Sequence, residues 1–229
     1  MTAKPMSKLR LLALGALVLA APAYAQKPDV KIEGEEEAPI PSADTMKDWP
    51  CVQGKVETLS VTAIWDGPAL DDAAAKEAAR DAEISNLVRT LTSRRVPVDK
   101  AEAAIKAFAD KQAPDARDKR LTQLFNALFE TANNQRKTVI TGIGKYQKSQ
   151  IARSAELERQ GTEIAKLEQQ ASSDEKAATD LATAQEHFQW AQRIFQERQQ
   201  SIPLACELPV LIEERLYELA RSIRGLMKA

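Results

Sequence analysis

The chain has 229 residues with 32 Lys and Arg, 33 Asp and Glu and a single histidine, for a formal charge of −1. A near-neutral, slightly acidic protein has no general electrostatic pull toward nucleic acid or anionic lipid. One histidine and two cysteines leave little for acid–base catalysis or for a four-ligand structural zinc site.

Residues 1–25 read as a secretory signal. Lys4, Lys8 and Arg10 form a cationic start, Leu11 to Ala20 an apolar run, and Ala23-Tyr24-Ala25 a small-residue cleavage site. Cleavage is expected between Ala25 and Gln26. The apolar run is too short for a comfortable membrane span, which takes about 20 residues. Removing it takes three positive charges and no negative ones, so the formal charge moves from −1 to −4. No Asn-x-Ser/Thr acceptor occurs, which favours a bacterial envelope over a eukaryotic secretory route. The expected address is the periplasm, with no transmembrane segment in the mature chain.

Residues 26–48 carry Pro28, Pro39, Pro41 and the run Glu35-Glu36-Glu37 with few large apolar residues, and read as a disordered linker. A single helical domain is expected over 49–229. Residues 49–68 form an ordered strap, rich in apolar bulk, that ends at Gly67-Pro68. The alternation of Val61, Ala63 and Trp65 predicts a short extended run. Trp49 and Trp65 are candidate anchors, facing either the core or a partner.

The two cysteines, Cys51 and Cys206, sit in proline-marked segments at opposite ends of this domain. In an exported chain they are expected to pair, tying the strap to the C-terminal helix. A redox role would favour a close Cys-x-x-Cys, which is absent.

The remainder is helix-forming. A first helix is expected over 69–94, favoured at its start by Asp71 and Asp72, with the stripe Ala74, Ala78, Ile84, Leu87, Val88 and Leu91. A second runs over 99–111, capped by Asp99 with Glu102 and presenting Ala101, Ala104, Ile105 and Phe108. A third spans 114–170, with Pro114 in its first turn and a seam through Leu121, Phe125, Leu128, Ala132, Gln135, Val139, Ile143, Tyr146, Gln150, Leu157, Gly161 and Ile164. Gly142 and Gly144 mark either a kink or, as the preferred reading, a close approach of another backbone.

After a turn at Ala171-Ser172-Ser173, a fourth helix covers 173–201, capped by Ser173 or Asp174. Its seam steps 4-3-4-3-4-3-4 through Ala177, Leu181, Ala184, Phe188, Ala191, Phe195, Arg198 and Ile202. His187, Trp190 and Ile194 form a second stripe, which predicts a helix covered on two sides with His187 packed in the core. A fifth helix starts near Leu208-Pro209 and covers 208–228. The fold class is therefore all-α: a helical bundle with a long antiparallel coiled-coil hairpin and an N-terminal extended strap.

No nucleophile elbow, dinucleotide fingerprint, phosphate loop or paired Glu-x-x-His motif occurs, and no cofactor or metal is expected. The expected function is that of a non-enzymatic envelope interaction protein, whose hairpin takes a protein partner or a second copy. Two alternatives are a bundle that encloses a small apolar ligand near Phe125, Phe129, Phe188, Trp190 and Phe195, and a holdase chaperone.

Overall fold

The computed structural model describes residues 41–70, 78 and 80–228. The expected signal segment, the expected cleavage site at Ala25 and Gln26, the acidic run and the expected helix start at Asp71 and Asp72 lie outside the described residues. Pro39–Ala229 forms one compact unit. Its described residues form helices and no strand: α1 (Val61–Ile64), α2 (Ala82–Leu91), α3 (Val98–Asp110), α4 (Arg117–Ala171) and α5 (Glu175–Gly225), with a 3-10 turn at Ala43–Thr45. The architecture is an all-α bundle built on a helical hairpin.

The hairpin is α4 against α5, 55 and 51 residues long, or roughly 80 Å each at 1.5 Å per residue. The turn between them is capped by Asp174, whose carboxylate accepts from the Lys176 N–H at 2.9 Å. Along the expected seam of α5, Ala177, Phe195 and Ile202 are buried and Leu181, Ala184, Phe188, Ala191 and Arg198 half-buried. On α4, Leu121, Phe125, Leu128, Ala132, Ile143, Gln150 and Leu157 are buried.

Helices α2 and α3 thicken one end of this hairpin into a base. Their Ile84, Val88, Leu91, Ala101, Ile105 and Phe108 close a core with Leu124, Phe125, Leu128, Phe129, Leu216, Leu219 and Ile223. Arg120 ties the corner. It bonds Asp81 at 2.8 Å and Gln123 at 3.2 Å, and its guanidinium lies 5.5 Å from the Phe108 ring centroid.

Several boundaries differ from expectation. Helix α2 begins at Ala82 because Asp81 turns extended and accepts from the Glu83 and Ile84 N–H groups, making a fresh N-cap. Pro97, not Asp99, precedes α3; its carbonyl takes the Ala101 N–H at 3.0 Å, and Asp99 lies in the first turn. Pro114 lies in the turn before α4, which starts at Arg117. Helix α4 runs unbroken through Gly142 and Gly144, and a Cβ at either would meet nothing within 4 Å. These glycines serve no close approach.

The fourth and fifth expected helices are one. Pro203 and Pro209 lie inside α5, where each removes the N–H that the carbonyl four residues earlier would take, at Gln199 and Ala205. An interior proline costs about 3 kcal/mol. Burial of Ile202, Cys206 and Pro209, and the covalent tie at Cys206, hold the helix through this cost.

The run Val61, Ala63, Trp65 is a helical turn rather than an extended one. A lone extended segment would leave its backbone groups without a ladder. The turn satisfies them locally, with the Trp65 N–H on the Val61 carbonyl at 2.8 Å and the Ala63 N–H on Ser60 at 3.2 Å.

Candidate functional site

The strap lies along the hairpin and reaches farther than residues 49–68. It starts at least at Pro41, inside the segment expected to be a linker, and runs antiparallel to α4. Polar side chains of α4 hold its backbone at intervals along its length. The Ala43 N–H donates to Glu158 Oε1 at 2.9 Å, and Ser154 Oγ donates to the Pro41 carbonyl. Gln147 Nε2 donates to the Lys47 carbonyl at 2.7 Å. Arg136 donates to the Val56 carbonyl, and Asn133 Oδ1 accepts the Leu59 N–H at 3.0 Å. Arg136, Gln147 and Ser154 are buried for this reason: a strap backbone with no sheet to join takes its partners from them.

Cys51 and Cys206 form the disulfide, with an S–S distance of 1.97 Å and Cα atoms 5.6 Å apart. Around it, Gln53 Nε2 donates to the Cys206 carbonyl at 3.1 Å, and the Trp49 indole N–H to the Gln53 carbonyl at 2.7 Å. Trp49 is half-buried at this clasp. Trp65 faces the core. Its ring stacks on Phe125 at 4.0 Å between centroids and 9° between planes, and its N–H reaches the Pro68 carbonyl at 2.9 Å. Gly67 is required here, since a β-carbon would come within 2.3 Å of the indole.

The five residues expected to share a ligand pocket do not share one. Phe125 and Phe129 belong to the base core with Trp65. Phe195 is buried at mid-hairpin, where Gln150 Nε2 bonds its carbonyl at 3.2 Å. Phe188 is half-buried toward the tip, and Trp190 is 61% exposed. Gln150 lies 25 positions along α4 from Phe125, roughly 37 Å.

A cavity of about 600 Å³ does open at the base, away from these rings. Leu91, Leu128, Ala132, Leu216 and Leu219 form its apolar floor. Thr131, Gln135 and Thr138 of α4 line one wall, and Leu208 and Ile212 of α5 the other. Gln135 is exposed at this rim, not packed in the seam. By the helical period, Thr131, Gln135 and Thr138 point away from Asn133 and Arg136, so strap and cavity use opposite faces of the hairpin.

Two arginines line the cavity, Arg94 and Arg215. Arg215 Nε donates to the Leu91 carbonyl at 2.6 Å, where α2 ends. Its Nη2 is shielded from solvent with no hydrogen-bond partner. Burial lowers the Arg215 pKa, against an opposing pull from Glu218, which is exposed and outside the cavity lining.

The hairpin's far end has a different character. Beyond Glu158 the residues turned inward are Gln160, Gly161, Ile164, Leu167, Ala171, Ala177, Leu181, Ala184, Gln185 and Phe188, and the others are exposed. Among the described residues, the last strap hydrogen bond to α4 is at Glu158. The second stripe of α5 is therefore not a covered face: His187 and Trp190 are exposed and Ile194 half-buried. The Arg193 guanidinium sits 6.0 Å from the Trp190 ring centroid.

Among the described residues no three His, Cys, Asp or Glu are placed to hold a metal ion, and no helix is long and apolar enough to cross a membrane. Compared with known proteins, the chain matches no family model, no curated protein and no solved structure.

Proposed function

We propose that this chain is an exported, non-enzymatic helical interaction protein of the bacterial cell envelope, which presents its distal hairpin to a protein partner or to a second copy of itself. The observation that carries this reading is the length of α4 and α5 beyond Glu158 that no described strap residue bonds, about 20 Å on each helix at 1.5 Å per residue. Each helix there buries a single stripe, so its other faces are free to make a long contact. Trp190 stands exposed at the root of that length, the residue type most often found as an interface anchor. The base behind it is fixed by the disulfide and by the bonds between strap and helix. A disulfide of this kind fits an oxidising compartment and supports periplasmic export by the signal at residues 1–25.

The test shortens the hairpin by one heptad on each side, removing residues 162–168 and 178–184. Both seams keep their register, because seven residues restore the spacing. The shortened and full chains are compared by thermal unfolding and by quantitative capture from the envelope of the native host. The expected result is a stoichiometric partner held by the full chain and lost by the shortened one, with the base still folded. Equal retention of that partner by both chains would sink the proposal.

A further inference from the structure

We propose that the base cavity is a binding site for an aliphatic carboxylate, with its chain on the leucine floor between α4 and α5 and its carboxylate paired to Arg215. This site is independent of the hairpin's partner: it lies at the other end of the molecule and on the face away from the strap.

Its volume, about 600 Å³, falls within the range of small-molecule pockets. Leu91, Leu128, Leu216 and Leu219 supply the apolar floor. The wall from Thr131 to Val139 runs roughly 12 Å along α4, enough for an extended chain of about ten carbons. Each methylene moved from water onto such a floor favours binding.

The charge of the lining selects the headgroup. Among the described residues, Arg94 and Arg215 line the cavity and no carboxylate does. The Arg215 guanidinium is fixed by its bond to the Leu91 carbonyl, yet Nη2 is withdrawn from water without an acceptor. A half-buried cation with no countercharge beside it is costly, and a carboxylate placed in the cavity next to the guanidinium supplies that countercharge. A neutral chain of the same length would bury the same apolar area and leave that cost in place. Thr131 and Thr138 add hydroxyls along the wall but no charge.

The test is titration calorimetry of the disulfide-intact full chain with decanoate and, in parallel, with decanol. Decanoate is expected to bind saturably, one per chain, and decanol at least about tenfold more weakly, the worth of one charged hydrogen bond. Gln135→Trp, at an exposed rim position, should abolish decanoate binding without moving the unfolding midpoint. Arg215→Gln should bring decanoate and decanol toward equal affinity. Should Arg215→Gln lose the fold through its broken bond to Leu91, the exposed Arg94→Gln serves instead, with a severalfold loss for decanoate alone. Equal affinity of the wild-type chain for decanoate and decanol, binding that survives Gln135→Trp, or no saturable heat with decanoate would each overturn the proposal.

Discussion

Replacing Cys51 and Cys206 together by alanine is expected to destabilise the oxidised protein by about 5 kcal/mol at 25 °C. That figure comes from loop-closure entropy over the 155 positions between them. The effect acts mainly on the unfolded chain, which in the native sequence remains a ring from the strap to α5. The folded side loses little else, because Gln147, Arg136 and Asn133 still bond the strap and Trp65 still stacks on Phe125. For a chain of this size 1 kcal/mol shifts the melting temperature by roughly 2–4 °C, so the midpoint should fall by about 10–20 °C. Guanidinium unfolding followed by far-ultraviolet circular dichroism measures this directly. The slope should rise slightly as well, because an unlinked chain exposes more surface on unfolding. A loss below about 1 kcal/mol would refute the reasoning, since loop closure of this length could not then be limiting the unfolded state.

Trp65→Ala should cost about 3–5 kcal/mol in the same assay, the range for truncating a buried aromatic, because it empties the stack on Phe125. Gly142→Ala and Gly144→Ala should each stabilise by about 0.5–1 kcal/mol, since both sit inside a continuous helix where a methyl group meets nothing. Asp81→Ala should cost about 1–2 kcal/mol near neutral pH, through the lost N-cap and the lost Arg120 pair. The Asp81 carboxyl is held below its ordinary value first by the Ile84 N–H and then by Arg120. Its contribution is therefore complete above the ordinary carboxylate range, about pH 4, and is lost as pH falls through the lowered value. Urea unfolding of wild type and variant across that range should show the two curves converging in acid.

The hairpin was legible because its signal is long and one-dimensional. Phe188, Phe195 and Ile202 repeat at seven residues in a stretch without proline, and no competing pattern exists there. The Cys51–Cys206 pair was legible by elimination, given two cysteines and an expected export signal. What failed depended on contacts across the fold. Pro203 and Pro209 carry strong local breaking signals, and only the burial of Ile202, Cys206 and Pro209 shows that the helix continues through them. His187 and Trp190 have the spacing of a packed stripe, but apolar spacing alone does not say whether another element arrives to cover it.

The strap's path did leave a trace. Gln147 and Ser154 stand among the apolar residues of α4 two turns apart, and buried polar residues there signal a backbone that needs partners. The cavity left a weaker one: Arg215 stands between Ile212 and Leu216 on the apolar side of α5, where a charge has no reason to sit unless something pairs with it.

The central claim, that the distal hairpin is the presenting surface, is tested most directly by site-specific photo-crosslinking in living host cells. A photoreactive residue is placed in turn at the exposed positions Thr183, His187 and Trp190, and as a contrast at the exposed Lys106 on α3. A discrete adduct of one size from the hairpin positions and none from Lys106 is the predicted result. Adducts from Lys106 alone, or no adduct from any of the three hairpin positions, would contradict it.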